Sequence, residues 1–177
     1  MEEKQIFHLA LSVALIGMFS LYLVSNVFSS VLLTDGPFNV TNVVDGDTLD
    51  LSNGERVRLS GINAPESGEC GYNEASEALA DMVLGKEVYI EGDIDNTGKY
   101  GRILRYIYVD DVFVNGLLIE KGYVRVYDKY NYSTKKYDAL KDIEAVAKEK
   151  GLGMWSCVDP KEGCLYVASK NSKIYHE

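Results

Sequence analysis

The chain has 177 residues, 18 Lys+Arg against 27 Asp+Glu, a formal net charge of −9 and a 46% hydrophobic share. Those figures exclude intrinsic disorder, a coiled coil and a uniformly basic nucleic-acid binder of the histone or ribosomal kind. They leave phosphate chemistry at a local site open, because the charge is unevenly spread. Residues 5–33 hold no Lys, Arg, Asp or Glu, and the remaining residues 34–177 carry 17 basic and 25 acidic side chains, net −8. That remainder suits a single domain.

Residues 6–33 read IFHLALSVALIGMFSLYLVSNVFSSVLL. A membrane-crossing helix needs about 20 apolar residues at roughly 1.5 Å rise each. This run is long enough, and Ser12, Gly17 and Ser20 are tolerable in lipid. A cleaved signal peptide competes with that reading, but such peptides have apolar cores of about 7–15 residues behind a basic start. Here the start is MEEK, and Ser29-Ser30 is the one weak cleavage candidate. A buried soluble helix would show polar positions along one face. The expectation is therefore an N-terminal transmembrane anchor over residues 1–33, with a signal peptide as the alternative. Few positive charges flank it, so its orientation stays open.

Residues 34–37 (Thr-Asp-Gly-Pro) read as a linker, followed by β-type runs at 38–44 and 47–52 on either side of Asp45-Gly46, a hairpin signal. In RVRLSGI (56–62), Val57 and Leu59 alternate with Arg56 and Arg58, which puts both arginines on the face opposite the apolar pair. Ala75, Ala78, Leu79, Met82 and Val83 recur at helical spacing, with Gly85 suited to the C′ position. Residues 86–94 and 102–109 predict two more strands around a turn-rich connection. A short helix over 115–121 closes at Gly122, 123–127 is extended, and Tyr137, Leu140, Ile143 and Ala147 predict a longer helix ending at Gly151. This order points to an α+β fold: a small barrel of oligonucleotide-binding (OB) type with about three flanking helices, over residues 38–156, and a tail at 157–177.

Acids and arginines gather at turns and strand ends in three segments: Asp45-Gly46-Asp47-Thr48, Arg58-Leu59-Ser60-Gly61-Ile62-Asn63-Ala64-Pro65-Glu66, and Lys99-Tyr100-Gly101-Arg102. Taken singly, each has an ordinary explanation as a hairpin turn, a solvated strand or a surface loop. Together with V-N-x-x-L-I-x-x-G (114–122) and G-L-G-M-W (151–155), they stand in one order and at compatible spacings. In this the chain resembles the staphylococcal nuclease-like (thermonuclease) family, over roughly residues 38–155.

The resemblance implies a nuclease that hydrolyses phosphodiester bonds of DNA, RNA or both with the help of Ca²⁺, breaking the bond from phosphorus to the 5′ oxygen and leaving a 3′-phosphate. Asp47 matches the carboxylate ligand for calcium, which takes about 6–8 oxygen ligands, with Asp45 beside it as an outer acid. Asn63 stands where many members have Asp as a second ligand, and Ala64 where the main-chain carbonyl serves. One negative charge is thus missing, and a weaker metal site is expected. Glu66 matches the general base or water-positioning residue. Arg58 and Arg102 match the phosphate-clamping arginines, whose planar forks make paired hydrogen bonds to phosphate oxygens. By the same resemblance Lys99 and Tyr100 line the nucleotide site.

Other features carry less. Of the tyrosines clustered at 123, 127, 130, 132 and 137, most read as packing, with Tyr127 the best candidate for stacking on a base. The run KKYDALKDIEAVAKEK reads as a solvated helix face with i,i+4 pairs. Of the three cysteines, Cys157 and Cys164 are the expected disulfide pair if the domain faces outward, leaving Cys70 over. No convincing zinc site emerges, and the tail is assigned no function. A non-catalytic nucleic-acid-binding module and a membrane-tethered adaptor are the competing classes. The presence of Arg58, Glu66 and Arg102 together favours the enzyme, anchored in a membrane with the nuclease domain outside the cytoplasm, or secreted if the N-terminal segment is cleaved.

Overall fold

The structure, a computed structural model, describes residues 18, 34–98 and 100–157. The expected anchor at 1–33, Lys99 and most of the expected tail lie outside the described residues. Among the described residues no helix is long and apolar enough to cross a membrane.

Five strands form a closed barrel. β1 (Thr34–Asp45) and β2 (Thr48–Leu51) make the expected hairpin, with Asp45 opposite Thr48, and β2 pairs antiparallel with β3 (Arg56–Leu59). β5 (Glu87–Thr97) lies beside β1 and pairs antiparallel with β6 (Ile103–Val109). β6 then pairs parallel with β3, Val57 opposite Ile103, which joins the two edges. The interior is filled by the inward set of each strand: Leu49 and Leu51, Val57 and Leu59, Val88 and Ile90, and Ile107 are all buried. The 2-residue side-chain period does this, placing every second residue on one face. A short β7 (Val112–Phe113) extends the sheet beyond β6.

Three helices pack around the barrel. α1 (Tyr72–Val83) buries Ala75, Leu79 and Val83 and ends where predicted, with Gly85 at φ 70°. α2 (Val114–Glu120) and α3 (Tyr137–Glu149) bury Leu118, Ile119 and Leu140 against the same core.

Several expectations need correction. Residues 34–37, expected as a linker, are the first residues of β1. The strand expected over 56–62 breaks after Leu59. Gly61, at φ 74°, turns the chain so that β4 (Ile62–Asn63) pairs with β8 (Arg125–Val126) instead. A side chain at that φ is strained, and its Cβ would sit 2.6 Å from Leu140 Cδ1. The strand from 86 runs on to Thr97 despite its polar sequence, because β6 pairs with it as far as Thr97–Ile103. Two 3₁₀ turns, η1 (Asp128–Ser133) and η2 (Gly153–Ser156), were not expected. The disulfide joins Cys70 to Cys157, so Cys70 is not the unpaired cysteine. The bond ties the loop before α1 to the residue that follows η2, although 87 positions separate the two cysteines.

Candidate active site

The β1–β2 turn, the end of β3, the chain from Ser60 to Glu66 and the β5–β6 connection converge on one cleft of about 800 Å³. Asp45, Asp47, Arg58, Asn63, Ala64, Glu66, Tyr100 and Arg102 all line it, as does Tyr127. Every expected site residue except Lys99, which lies outside the described residues, is therefore brought together.

Asp47 sits at the centre, only 6% exposed. Its turn is pressed against the body of the protein through Gly46, where a Cβ would meet Ala75 Cβ at 2.6 Å and Ala64 Cβ at 2.9 Å. Asp47 Oδ2 accepts from the Ala64 amide at 2.7 Å and pairs with Arg58 Nη2 at 2.9 Å. Its Oδ1 accepts from Thr48 Oγ1 at 3.0 Å, and its own amide donates to Asp45 Oδ1 at 3.1 Å. Burial pushes the Asp47 carboxyl up to about 6, against the pull of Arg58 and with the push of Asp45. A buried carboxylate with a like charge beside it is stabilised by a further positive charge.

The two arginines differ. Arg58 is engaged by the protein: Nη1 donates to the Leu59 and Ile62 carbonyls at 3.0 and 2.8 Å, and Nη2 to Asn63 Oδ1 at 3.0 Å as well as to Asp47. Burial lowers its pKa, Asp47 raises it, and Arg102 lowers it further, so the two guanidinium groups feel each other. Arg102 Nη1 makes one long bond, 3.3 Å to Thr48 Oγ1, and its Cζ lies 5.7 Å from the Tyr100 ring centroid. Its Nε is buried with no hydrogen-bond partner among the described residues. A buried donor left unpaired costs about 1–3 kcal/mol, which an anionic oxygen entering the cleft would recover. Glu66 is exposed, on the loop between β4 and α1. Tyr100 is 72% exposed.

The donor set fits a hard cation in kind. Asp45 and Asp47 carboxylates, the Asn63 side-chain carbonyl and the Ala64 main-chain carbonyl are all oxygens, the ligand type calcium takes. Among the described residues no group of three His, Cys, Asp or Glu side chains forms a metal-holding cluster, so such a site depends on neutral carbonyl oxygens and water for much of its shell.

Sequence reasoning missed three supports. Thr48 bridges Asp47, its neighbour in sequence, and Arg102, 54 positions further along the chain. Asn115, fully buried, donates to the Ser60 carbonyl at 2.9 Å and accepts from the Ile107 amide at 2.9 Å, fixing the chain that leads to Asn63. Glu144 was expected on a solvated face but is 2% exposed. It accepts from the Val126 amide at 2.8 Å and from Lys141 and Lys148 at 2.7 and 3.0 Å, so it holds β8 beside Tyr127. The V-N motif and the i,i+4 pattern were the visible signals for the last two.

Fold and cleft together define an OB-type barrel whose site sets paired acids beside paired guanidinium groups, an arrangement suited to holding a phosphate. Comparison with known proteins narrows this. Residues 56–157 match the family Staphylococcal nuclease homologue. The chain is 33% identical over 148 residues to the micrococcal nuclease of Shigella flexneri, covering 75% of this chain and 82% of the relative. It is 35% identical over 130 residues to the endonuclease YncB of Bacillus subtilis (strain 168), covering 67% of this chain and 62% of the relative. To the SPbeta prophage-derived endonuclease YokF of the same organism it is 36% identical over 123 residues, 64% of this chain and 42% of the relative. The chain belongs to the staphylococcal nuclease family.

Proposed function

We propose that this protein is a calcium-dependent nuclease, held to a membrane by residues 1–33 with its barrel outside the cytoplasm, in which Arg58, Glu66 and Arg102 carry the hydrolysis of DNA or RNA. Phosphodiester hydrolysis itself follows from family membership. The observation that carries the roles is Arg102, which lines the same cleft as Asp45 and Asp47 and has a buried Nε with no partner among the described residues.

In this reading Arg102 takes phosphate oxygens with its planar fork, which stays charged and can donate twice. Arg58, already held by four protein acceptors, contributes fixed positive charge that needs no reorganisation when negative charge builds on phosphorus. Glu66 takes the proton of the attacking water or orients it, and a proton reaches the leaving 5′ oxygen as its bond to phosphorus breaks. Tyr100, exposed beside Arg102, offers a ring face to a base. Asp47, Asn63 and Ala64, with Asp45 beside them as an outer acid, would hold calcium, which supplies charge neutralisation at the phosphate when bound. A disulfide between Cys70 and Cys157 supports a location outside the cytoplasm, since such bonds persist in oxidising compartments. The uncharged run of residues 5–33 supports the anchor.

The test is release of acid-soluble nucleotides from DNA and from RNA, with calcium or with chelator, by the wild type and Glu66→Gln. Wild type with calcium should release nucleotides and lose activity in chelator, and Glu66→Gln should be slower by about 10²–10⁴-fold. No release in any sample, with retained binding to oligonucleotides, would instead mark a binding module. For the anchor, full-length protein should sediment with membranes and its barrel should be open to protease added to intact cells.

A further inference from the structure

Glu66 lies on a stretch from Pro65 to Gly71 that belongs to no strand or helix, where side chains ordinarily roam. Here the stretch is tied at several points. The Glu66 amide donates to Glu69 Oε2 at 2.8 Å, and the Glu69 amide donates back to the Glu66 carbonyl at 2.8 Å. The next residue, Cys70, is bonded to Cys157. A Cβ on Gly71 would touch Met154 Cβ at 3.4 Å and Pro65 Cγ at 3.5 Å, so η2 and Pro65 flank the same point. The far anchor is itself fixed. The Met154 amide donates to the Gly122 carbonyl at 2.8 Å, Leu152 to Ala147 at 3.1 Å and Cys157 to Met154 at 3.1 Å.

We propose that Glu69 and the Cys70–Cys157 disulfide form a strap that positions Glu66, so that full nuclease activity requires the disulfide to be closed. The inference rests on the reading of Glu66 as the residue that handles the attacking water. Cys70 is exposed while Cys157 is 8% exposed, so a reducing dithiol meets the Cys70 sulfur first. Its thiolate attacks Cys70 Sγ, the S–S bond breaks, and the electron pair leaves on Cys157 Sγ, which takes a proton from water. The second thiolate of the reductant then displaces Cys70 Sγ from the mixed disulfide, and that sulfur takes a proton in turn. The dithiol ends as a disulfide, having given up two electrons and two protons, and the protein gains two thiols. Once opened, the loop keeps Glu66 in the molecule but not in place, and a displacement of about 1 Å can cost up to about 100-fold in rate. A reducing cytoplasm would thus keep the enzyme slow beside the cell's own nucleic acids.

The experiment uses the full chain in oxidised form, after reduction with dithiothreitol, and as the variants C70S/C157S, E69A and E69Q. Steady-state cleavage of a single-stranded DNA oligonucleotide with calcium gives kcat and KM; amide hydrogen exchange at Glu66 and Glu69 is read beside that at Leu59 and Ile107 in the barrel. Reduction, C70S/C157S and E69A should each lower kcat by about 10- to 100-fold with KM held within about twofold. E69Q should keep the wild-type rate, because its amide oxygen still accepts from Glu66. Exchange at Glu66 should quicken by about tenfold or more on reduction while the barrel amides stay unchanged. Unchanged kcat and unchanged Glu66 exchange after reduction would overturn the strap, as would exchange that rises equally through the barrel, which marks a global brace. Absence of cleavage by the oxidised wild type would overturn the nuclease reading and the rate dependence with it, whereas the Glu66 exchange result judges the positioning on its own.

Discussion

Replacing Asn63 by Asp changes the charge of the cleft by one while keeping the shape of the side chain. Asn63 Oδ1 accepts from Arg58 Nη2 at 3.0 Å, and Nδ2 donates to the Ala64 carbonyl at 3.2 Å. In Asn63→Asp the first contact becomes an ion pair, and the second is replaced by two oxygens facing each other. Without calcium the variant should lose about 1 kcal/mol of stability from that lost bond. With calcium the balance reverses. A carboxylate and a divalent ion about 4 Å apart attract by roughly 2 kcal/mol even at the dielectric constant of water. Arg58 neutralises part of the new charge, leaving about 1–1.5 kcal/mol, or roughly tenfold in affinity. The assay is a calcium titration of wild type and Asn63→Asp side by side, reading nucleotide release and the calcium-induced rise in Tm. The variant should reach half-effect at about one-tenth of the calcium concentration. Equal midpoints in both readouts would refute the argument that the missing charge at this position weakens the metal site.

Arg102→Lys keeps the charge but loses the fork, so kcat should fall by about 10²-fold or more with Tm little changed, and a drop under threefold would count against its role as the phosphate clamp. Glu144→Ala leaves the Val126 amide unpaired beneath two lysines and should cost about 2–4 kcal/mol in urea unfolding. Glu144→Gln keeps that one bond and should cost about half as much. Burial raises the Asp128 carboxyl, but Tyr137 Oη at 2.6 Å and Lys141 Nζ at 3.2 Å outweigh it and hold the group below its ordinary value. A depressed carboxyl contributes stability above its unfolded pKa and loses it as pH falls through the folded one. The side chain is 59% exposed, so wild type should exceed Asp128→Asn by no more than about 1 kcal/mol at pH 7, a margin that is lost as pH falls through the depressed pKa of the folded state.

Much of the fold was legible because local pattern and tertiary environment agree. Ala75, Leu79 and Val83 recur at helical spacing and are buried at that spacing, and Val57 and Leu59 alternate with arginines and fill the barrel. The expected site residues within the described chain likewise converge, since turn and strand-end motifs place each of them locally. What escaped depends on distance through space. The apolar alternation of Val57 and Leu59 stops at Gly61, which adopts a left-handed backbone and sends the chain to a new partner strand through Ile62. Cys157 and Cys164 are near in sequence, yet the partner of Cys157 is brought in by the loop before α1. Glu144 carries the lysine spacing of a solvated helix, and only the approach of β8 turns it inward. The net charge of −8 on residues 34–177 has its counterpart in the cleft, where Asp45, Asp47, Glu66, Asp93 and Asp95 outnumber Arg58, Arg102 and Lys129, yet the total does not reveal that two guanidinium groups are gathered there.

The parallel seam between β3 and β6 has a bearing on safety during synthesis. Arg58 lies on one side of that seam, opposite Leu104, and Arg102 just precedes the other. A nascent chain that has paired β1, β2 and β3 holds Asp47 and Arg58 but nothing that brings Arg102 to them. Long-range parallel pairing is intrinsically slow to form, so the cutting site is assembled only when the barrel shuts. If Arg58 and Arg102 act together as proposed, a partly folded or ribosome-bound chain should not cut the nucleic acids around it, by virtue of topology alone.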